Sequence, residues 1–245
     1  MSDPRYFYEQ FADEFDSRVN VYDLQKRLSI VFGELLKPDE VVGRTLLDVG
    51  CGTGWFSASA CKWGARVTSL DLGERLLAEV AKKCDSARIV GDILELPFRD
   101  QAFDIVVCSE VIEHTVDPPW ALEELERVLR TGGILALTTP NRLWKFAIYI
   151  ANALKVRPYE GLENWTSWSS MRKNMKEFSL DIERMFGFHI VPFVSPKLYG
   201  FLDWMDHYGE KLGPVMLNMA VRVRKRNASK KVEANLSATQ VRGTR

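Results

Sequence analysis

Apolar and polar positions along the chain follow two alternating periods. Short apolar runs bounded by glycine or polar residues occur at 46–49, 65–70, 88–90, Phe103–Ser109 and 134–138. Their length and composition are those of buried strands. Helical spacing intervenes after the first run (Trp55, Phe56, Ala58, Ser59, Cys61, Lys62) and after the second (73–84). The short stretch 94–98 leads away from the third. After the fourth, Asp117, Pro118 and Pro119 start a helix carrying Trp120, Leu122, Leu125, Val128 and Leu129, which Thr131, Gly132 and Gly133 end. Strand and helix in alternation predict an α/β fold: a Rossmann-like, doubly wound, mostly parallel sheet with right-handed crossovers.

The flanks follow other patterns. Aromatics crowd the start (Tyr6, Phe7, Tyr8, Phe11, Phe15, Tyr22), and Leu24, Leu28, Val31, Phe32 and Leu35 are helically spaced up to Pro38. Residues 1–39 therefore read as a helical cap. From 142 to 180 the strand–helix alternation lapses into an amphiphilic insertion or lid. It contains Leu143, Trp144, Phe146, Ile148, Tyr149 and Ile150, bordered by Lys145, Lys155 and Arg157. Aromatics flanked by basic residues suit contact of 143–157 with a membrane surface. Further on, the pattern predicts a helix at 175–185, a strand at 188–194, helix or loop at 198–212 and a strand at 217–223. One domain spans 1–226, and the basic, polar stretch 227–245 reads as a disordered tail.

The chemistry centres on the first strand's exit, TLLDVGCGTG, with Gly50, Gly52 and Gly54 at alternate positions. Glycines there let the backbone turn and approach a ligand closely, at the mouth of a helix. The dinucleotide pattern G-x-G-x-x-G fails because position 55 is Trp55, and no Gly-Lys-Ser/Thr end is present. Asp48 precedes the loop; a carboxylate there repels pyrophosphate and suits a ligand carrying an ammonium and a sulfonium. The segment resembles the first motif of class I S-adenosylmethionine-dependent methyltransferases. Asp71 ends the second strand, 21 residues after Gly50, near the spacing at which a carboxylate meets ribose hydroxyls. The resemblance places Asp92 at the adenine amino group and Ile93 on the ring, with Ser109 also at the cofactor. It also implies two antiparallel strands completing a seven-stranded sheet, and N-terminal residues, Tyr8 and Phe15 among them, folded over cofactor and substrate.

A second constellation follows the fourth strand. Glu110, Glu113 and His114 stand three and four apart, as groups sharing one face of a helical turn would. Two carboxylates and an imidazole suit Mg²⁺, Mn²⁺ or Zn²⁺, and an oxygen nucleophile needs a base, with His114 and Glu110 the candidates. The stretch SEVIEHTVDP resembles ubiquinone-pathway O-methyltransferases most closely, and small-RNA 2′-O-methyltransferases carry a related cluster. The resemblance implies O-methylation of a small hydrophobic phenolic or isoprenoid acceptor. N- or C-methylation of a sugar or secondary metabolite, RNA methylation, and a non-catalytic cofactor-binding partner stay open.

Composition trims these options. Basic and acidic residues balance at 33 each, so the chain as a whole offers no footprint for nucleic acid. Cys51, Cys61, Cys84 and Cys108 are scattered and form no C-x-x-C pair. The polar, acidic start and the absence of an apolar run of about 20 residues point to a cytoplasmic protein, with peripheral membrane contact through 143–157.

Overall fold

The computed structural model describes residues 8–147, 162–190 and 196–227. The side chain of Tyr8, most of the segment 143–157, positions 191–194 and the tail beyond 227 lie outside the described residues.

Seven strands form one sheet: β1 (Thr45–Val49), β2 (Arg66–Asp71), β3 (Ala87–Val90), β4 (Phe103–Ser109), β5 (Leu129–Pro140), β6 (Leu180–Phe188) and β7 (Asn218–Lys225). Their order is β3-β2-β1-β4-β5-β7-β6. The first five are mutually parallel, and β7 runs antiparallel to both β5 and β6. Strand order reverses between β1 and β4, so their carboxyl ends open the crevice in which such sheets hold ligands.

The packing follows from alternation along the strands. Leu47, Val49, Val106, Cys108, Leu135, Leu137, Met219 and Val221 face one side. Leu46, Ile105, Val107, Ile134, Ala136 and Ala220 face the other. The principal helices are α1 (Val21–Ser29), α2 (Trp55–Lys62), α3 (Glu74–Val80), α4 (Pro118–Val128), α5 (Trp168–Glu177) and α6 (Tyr199–Asp206). Helix α4 brings Ala121, Leu122, Leu125 and Val128 to the first face, where α5 adds Met171 and Met175. The turn Ile30–Leu35 after α1 and Ala60 of α2 cover the second. Each fully buried Leu or Val there contributes about 1.5–3 kcal/mol.

Helix α4 begins where Asp117 and two prolines predict, with the Asp117 carboxylate accepting the Trp120 N–H at 3.1 Å. The sequence expectation fails after 168. The helix is Trp168–Glu177 rather than 175–185, and the next strand is Leu180–Phe188 rather than 188–194. Ser179 takes a left-handed φ of 59°, which ends helical geometry. Residues 180–188 then pair with β7, and that pairing overrides the helix propensity of Glu183, Arg184 and Met185. Asp181 and Glu183 lie exposed on this edge strand, charges that discourage further strand addition.

Candidate active site at the carboxyl ends of β1, β2 and β4

The glycine loop is locked by its own neighbours. Gly50, Gly52 and Gly54 have φ of 65°, 52° and 88°, a region that side chains with Cβ seldom enter. At Gly50 a Cβ would lie 2.4 Å from Val111, at the β4 exit. At Gly52, by contrast, the nearest atom to such a Cβ is 4.0 Å away, on Phe15. The loop is thus tight underneath and open in front, the shape of a backbone cradle for a ligand.

Asp71 ties this cradle to β2. Its carboxylate accepts the Gly52 N–H at 2.8 Å and the Gly73 N–H at 3.0 Å. Burial, with a smaller push from Glu9, holds its carboxyl above the usual range despite these two donors. Each carboxylate oxygen keeps lone-pair capacity for a hydroxyl. Asp92 follows β3, and its Oδ1 accepts the Leu94 N–H at 2.9 Å. Ile93 is buried in the core against the sheet. Ser109 ends β4, 2.8 Å from the Thr138 hydroxyl.

Asp48 lies beneath the loop, at the penultimate position of β1. It is 2 % exposed, and its carboxylate is met by the Ser57 hydroxyl at 2.6 Å. A relay of hydroxyls continues to Ser69 at 2.7 Å and Ser86 at 2.8 Å. Strand alternation turns Asp48 toward α2, and its carboxylate braces that helix beneath the loop. Burial pushes its carboxyl up to about 7 from an ordinary 3.8. The folded state therefore keeps a proton that the unfolded chain releases in this window, and stability falls as pH rises from 3.8 to 7. Asp48→Asn should gain stability over the wild type progressively across that range, measured by urea unfolding; a constant offset would contradict the assignment.

The N-terminal segment closes over the loop. Asp16 accepts the Thr53 hydroxyl at 2.6 Å and the Trp55 indole N–H at 2.9 Å, and pairs with Lys83 at 2.8 Å. Burial alone would raise its carboxyl, but these partners outweigh it and hold it below the usual range. Glu9 accepts the Arg75 backbone N–H at 2.9 Å, and Arg75 pairs with Asp13. Nothing in the local sequence pattern marks Asp16, because its partners lie 37 to 67 positions away. Asp16→Ala removes one carboxylate from three partners. It should speed release of a ligand held in the cradle about tenfold, at roughly 1.4 kcal/mol; stopped-flow displacement checks it, and an unchanged rate would show that Asp16 does not hold the loop closed.

The Glu110, Glu113 and His114 groups do not share a face. Glu110 itself has a left-handed φ of 59°, so the spacing of a continuous turn does not apply, and only Ile112–His114 is helical. Glu110 accepts the Thr138 hydroxyl at 2.9 Å and stands 3.8 Å from Arg27 Nε. Glu113 is 2 % exposed and accepts the Thr139 hydroxyl at 3.0 Å. Burial, reinforced by Glu110, holds its carboxyl well above the usual range. His114 Nδ1 lies 2.9 Å from the Leu162 carbonyl, and its Nε2 lies 4.0 Å from Glu113. Among the described residues, no group of three or more His, Cys, Asp or Glu side chains is placed to hold a metal ion. The expected three-ligand metal site is therefore not formed by this arrangement. The returning end of the insertion seats here too, with the Asn164 N–H donating to the Glu113 carbonyl at 2.6 Å.

Residues 47–137 match the model of a family described as "Methyltransferase domain". The chain carries a methyltransferase domain. It is 39 % identical over 132 residues to the malonyl-[acyl-carrier protein] O-methyltransferase of Serratia marcescens, covering 52 % of this chain and 51 % of that one. To the ubiquinone biosynthesis O-methyltransferase of Nitrosomonas europaea it is 33 % identical over 122 residues, covering 45 % and 52 %. The chain spans about half the length of these curated relatives. A solved structure from Thermotoga maritima, a SAM-dependent methyltransferase described as a possible histamine N-methyltransferase, superposes with a TM-score of 0.66. That match has 20 % identity and covers 89 % of this chain and 98 % of the other, a likeness of fold. The methyltransferase match covers the glycine loop, Asp71, Asp92 and Glu110–His114, and stops before the insertion. No helix among the described residues is long and apolar enough to cross a membrane.

Proposed function

We propose that the chain is an S-adenosylmethionine-dependent methyltransferase that methylates an oxygen of a small phenolic or isoprenoid acceptor. The observation that carries it is the cradle: an open backbone surface at Gly52 joined by hydrogen bond to the Asp71 carboxylate. A ribose cis-diol fits the Asp71 oxygens, and a chain of low bulk fits the space before Gly52. Bound S-adenosylmethionine supplies a methyl group on a sulfonium, which the acceptor oxygen takes as the C–S bond breaks and S-adenosylhomocysteine forms.

The chain's own residues align the acceptor and take its proton. Glu110, at the β4 exit and partly exposed, is the base best placed by its strained backbone. His114 is held by the Leu162 carbonyl, which makes it a positioning group for the returning insertion. Curated relatives named as O-methyltransferases support oxygen as the nucleophile. Exposed Leu143 and Phe146 beside Arg142 and Lys145 support an apolar acceptor or a membrane-surface contact near this mouth.

Mass spectrometry of products from a panel of phenols, sugars, amines and RNA ends tests the proposal. A mass gain of one methyl group on a phenol oxygen is expected. Methylation confined to nitrogen, carbon or RNA would replace the acceptor assignment, and no transfer to any acceptor would overturn it.

A further inference from the structure

His189 stands outside every motif of the sequence, yet the fold delivers it to the acceptor side. It directly follows β6, where Phe188 lies opposite Asn218 and Asn218 opposite Pro140. His189 is therefore level with the carboxyl end of β5 and with the crevice. Its backbone is clamped there: its N–H donates to Asp206 at 2.7 Å, and its carbonyl accepts the Leu217 N–H at 2.7 Å. The clamp holds a φ of 54°, which disfavours any residue with a Cβ and is sustained only by such contacts.

The ring is 4 % exposed. It stacks on Tyr22 at 5.4 Å between centroids, and Tyr22 stacks in turn on Tyr199 at 3.7 Å. Nδ1 lies 3.7 Å from the Asp23 carboxylate, whereas Nε2 is buried and has no hydrogen-bond partner among the described residues. Burial, opposed by Asp23 and assisted by Lys26 and Arg27, pushes the imidazole down to about 4, so it is neutral at physiological pH. Asp203 and Asp206 complete the charged surroundings, both paired with Lys26. With the Nδ1 hydrogen toward Asp23, Nε2 presents a lone pair. An orphaned buried acceptor carries an unrelieved desolvation cost, which a ligand hydroxyl would relieve.

A second orphan lies one helical turn along α1. Arg27 Nε is buried without a hydrogen-bond partner among the described residues, 3.8 Å from the Glu110 carboxylate. Asp23 and Arg27 are roughly 6 Å apart along the helix, and β4 and β6 are three strand spacings apart, roughly 14 Å. Helix α1 thus runs between Glu110 and His189, with one unmet polar atom beside it at each place.

We propose that Arg27 and His189 are the two polar anchors of the methyl acceptor. Arg27 donates to an oxygen beside the transfer point, and His189 accepts a hydroxyl at the other end. The inference rests on the methyltransferase reading and narrows its acceptor to an extended aromatic molecule hydroxylated at both ends.

The test uses the full chain with S-adenosylhomocysteine and two flavonols. Quercetin carries hydroxyls at both ends, and galangin lacks them at one. The wild type should bind quercetin at least tenfold more tightly than galangin. His189→Phe keeps the ring stack and should erase that preference, while Arg27→Met should weaken both flavonols alike. In the wild type, quercetin should shift the His189 Nε2 resonance in nitrogen NMR, a readout that holds if a variant fails to fold. Equal binding of the two flavonols, binding of neither, a preference kept by His189→Phe, or an unmoved Nε2 resonance would each overturn the proposal. Failure of the wild type to bind S-adenosylhomocysteine would instead defeat the methyltransferase reading itself.

Discussion

Asp71→Ala should weaken S-adenosylmethionine binding about a hundredfold, with little loss of stability. Its carboxylate holds the Gly52 and Gly73 N–H groups, and in the function proposed above it also accepts the ribose hydroxyls. Charge-assisted hydrogen bonds are worth about 1.5–3 kcal/mol each, so losing the ribose contacts costs about 3 kcal/mol. The folded protein gives up less, because the same carboxylate is buried at a cost that its removal relieves. Calorimetric titration checks the affinity and thermal unfolding the stability. Asp71→Asn separates the tasks, since an amide retains one acceptor but no charge, and it should lie between wild type and alanine. Affinity within twofold of wild type for Asp71→Ala would remove Asp71 from the ribose site.

Gly50→Ala should do more damage, to folding and binding together. The left-handed φ of 65° costs a Cβ-bearing residue about 1–2 kcal/mol. The new methyl would also meet Val111 at 2.4 Å, and overpacking of that kind costs about 1–3 kcal/mol. The total, about 2–5 kcal/mol, is a large share of the stability of a domain this size. Val111 adjoins Glu110, so relief of the clash displaces the β4 exit as well as the glycine loop. Gly52→Ala provides the contrast. It carries a similar backbone strain but meets only open space, so its destabilisation should be smaller while cofactor binding is still lost. Equal destabilisation by the two substitutions, in urea unfolding, would contradict the role given to Val111.

What the sequence made legible was local. The glycine spacing and the Asp117 cap depend on neighbours within a few residues, and Asp71 and Asp92 stand where short apolar runs end. The five parallel strands stand within a residue or two of their expected places at most ends, because continuous apolar runs are hard to satisfy except in a covered sheet. β5 is the exception, extending from Leu129 through the glycine turn to Pro140. The two antiparallel strands also emerge, but β6 lies eight residues earlier than expected at its start. Its helix-favouring residues pair with β7, and a partner distant in sequence decides their state.

The site shows the same division. Glu110 to His114 looked like one turn because spacing assumes a uniform helix, and a single left-handed φ at Glu110 separates the groups. The motif does not reveal that Asp48 is buried on Ser57, a contact that the packing of α2 on β1 creates. Asp16, Arg27 and His189 escaped notice for another reason. Each acts through partners tens of residues or more away, which no periodicity records. Asp16 and His189 each follow a phenylalanine, Phe15 and Phe188, and Arg27 lies on a helix with no such neighbour.

The most direct test of the account is calorimetric titration of the full chain with S-adenosylhomocysteine, for wild type and Asp71→Ala in parallel. One saturable site is expected in the wild type, and an affinity about a hundredfold weaker in the variant. No binding heat in the wild type, together with no shift of its unfolding temperature by the ligand, would contradict it.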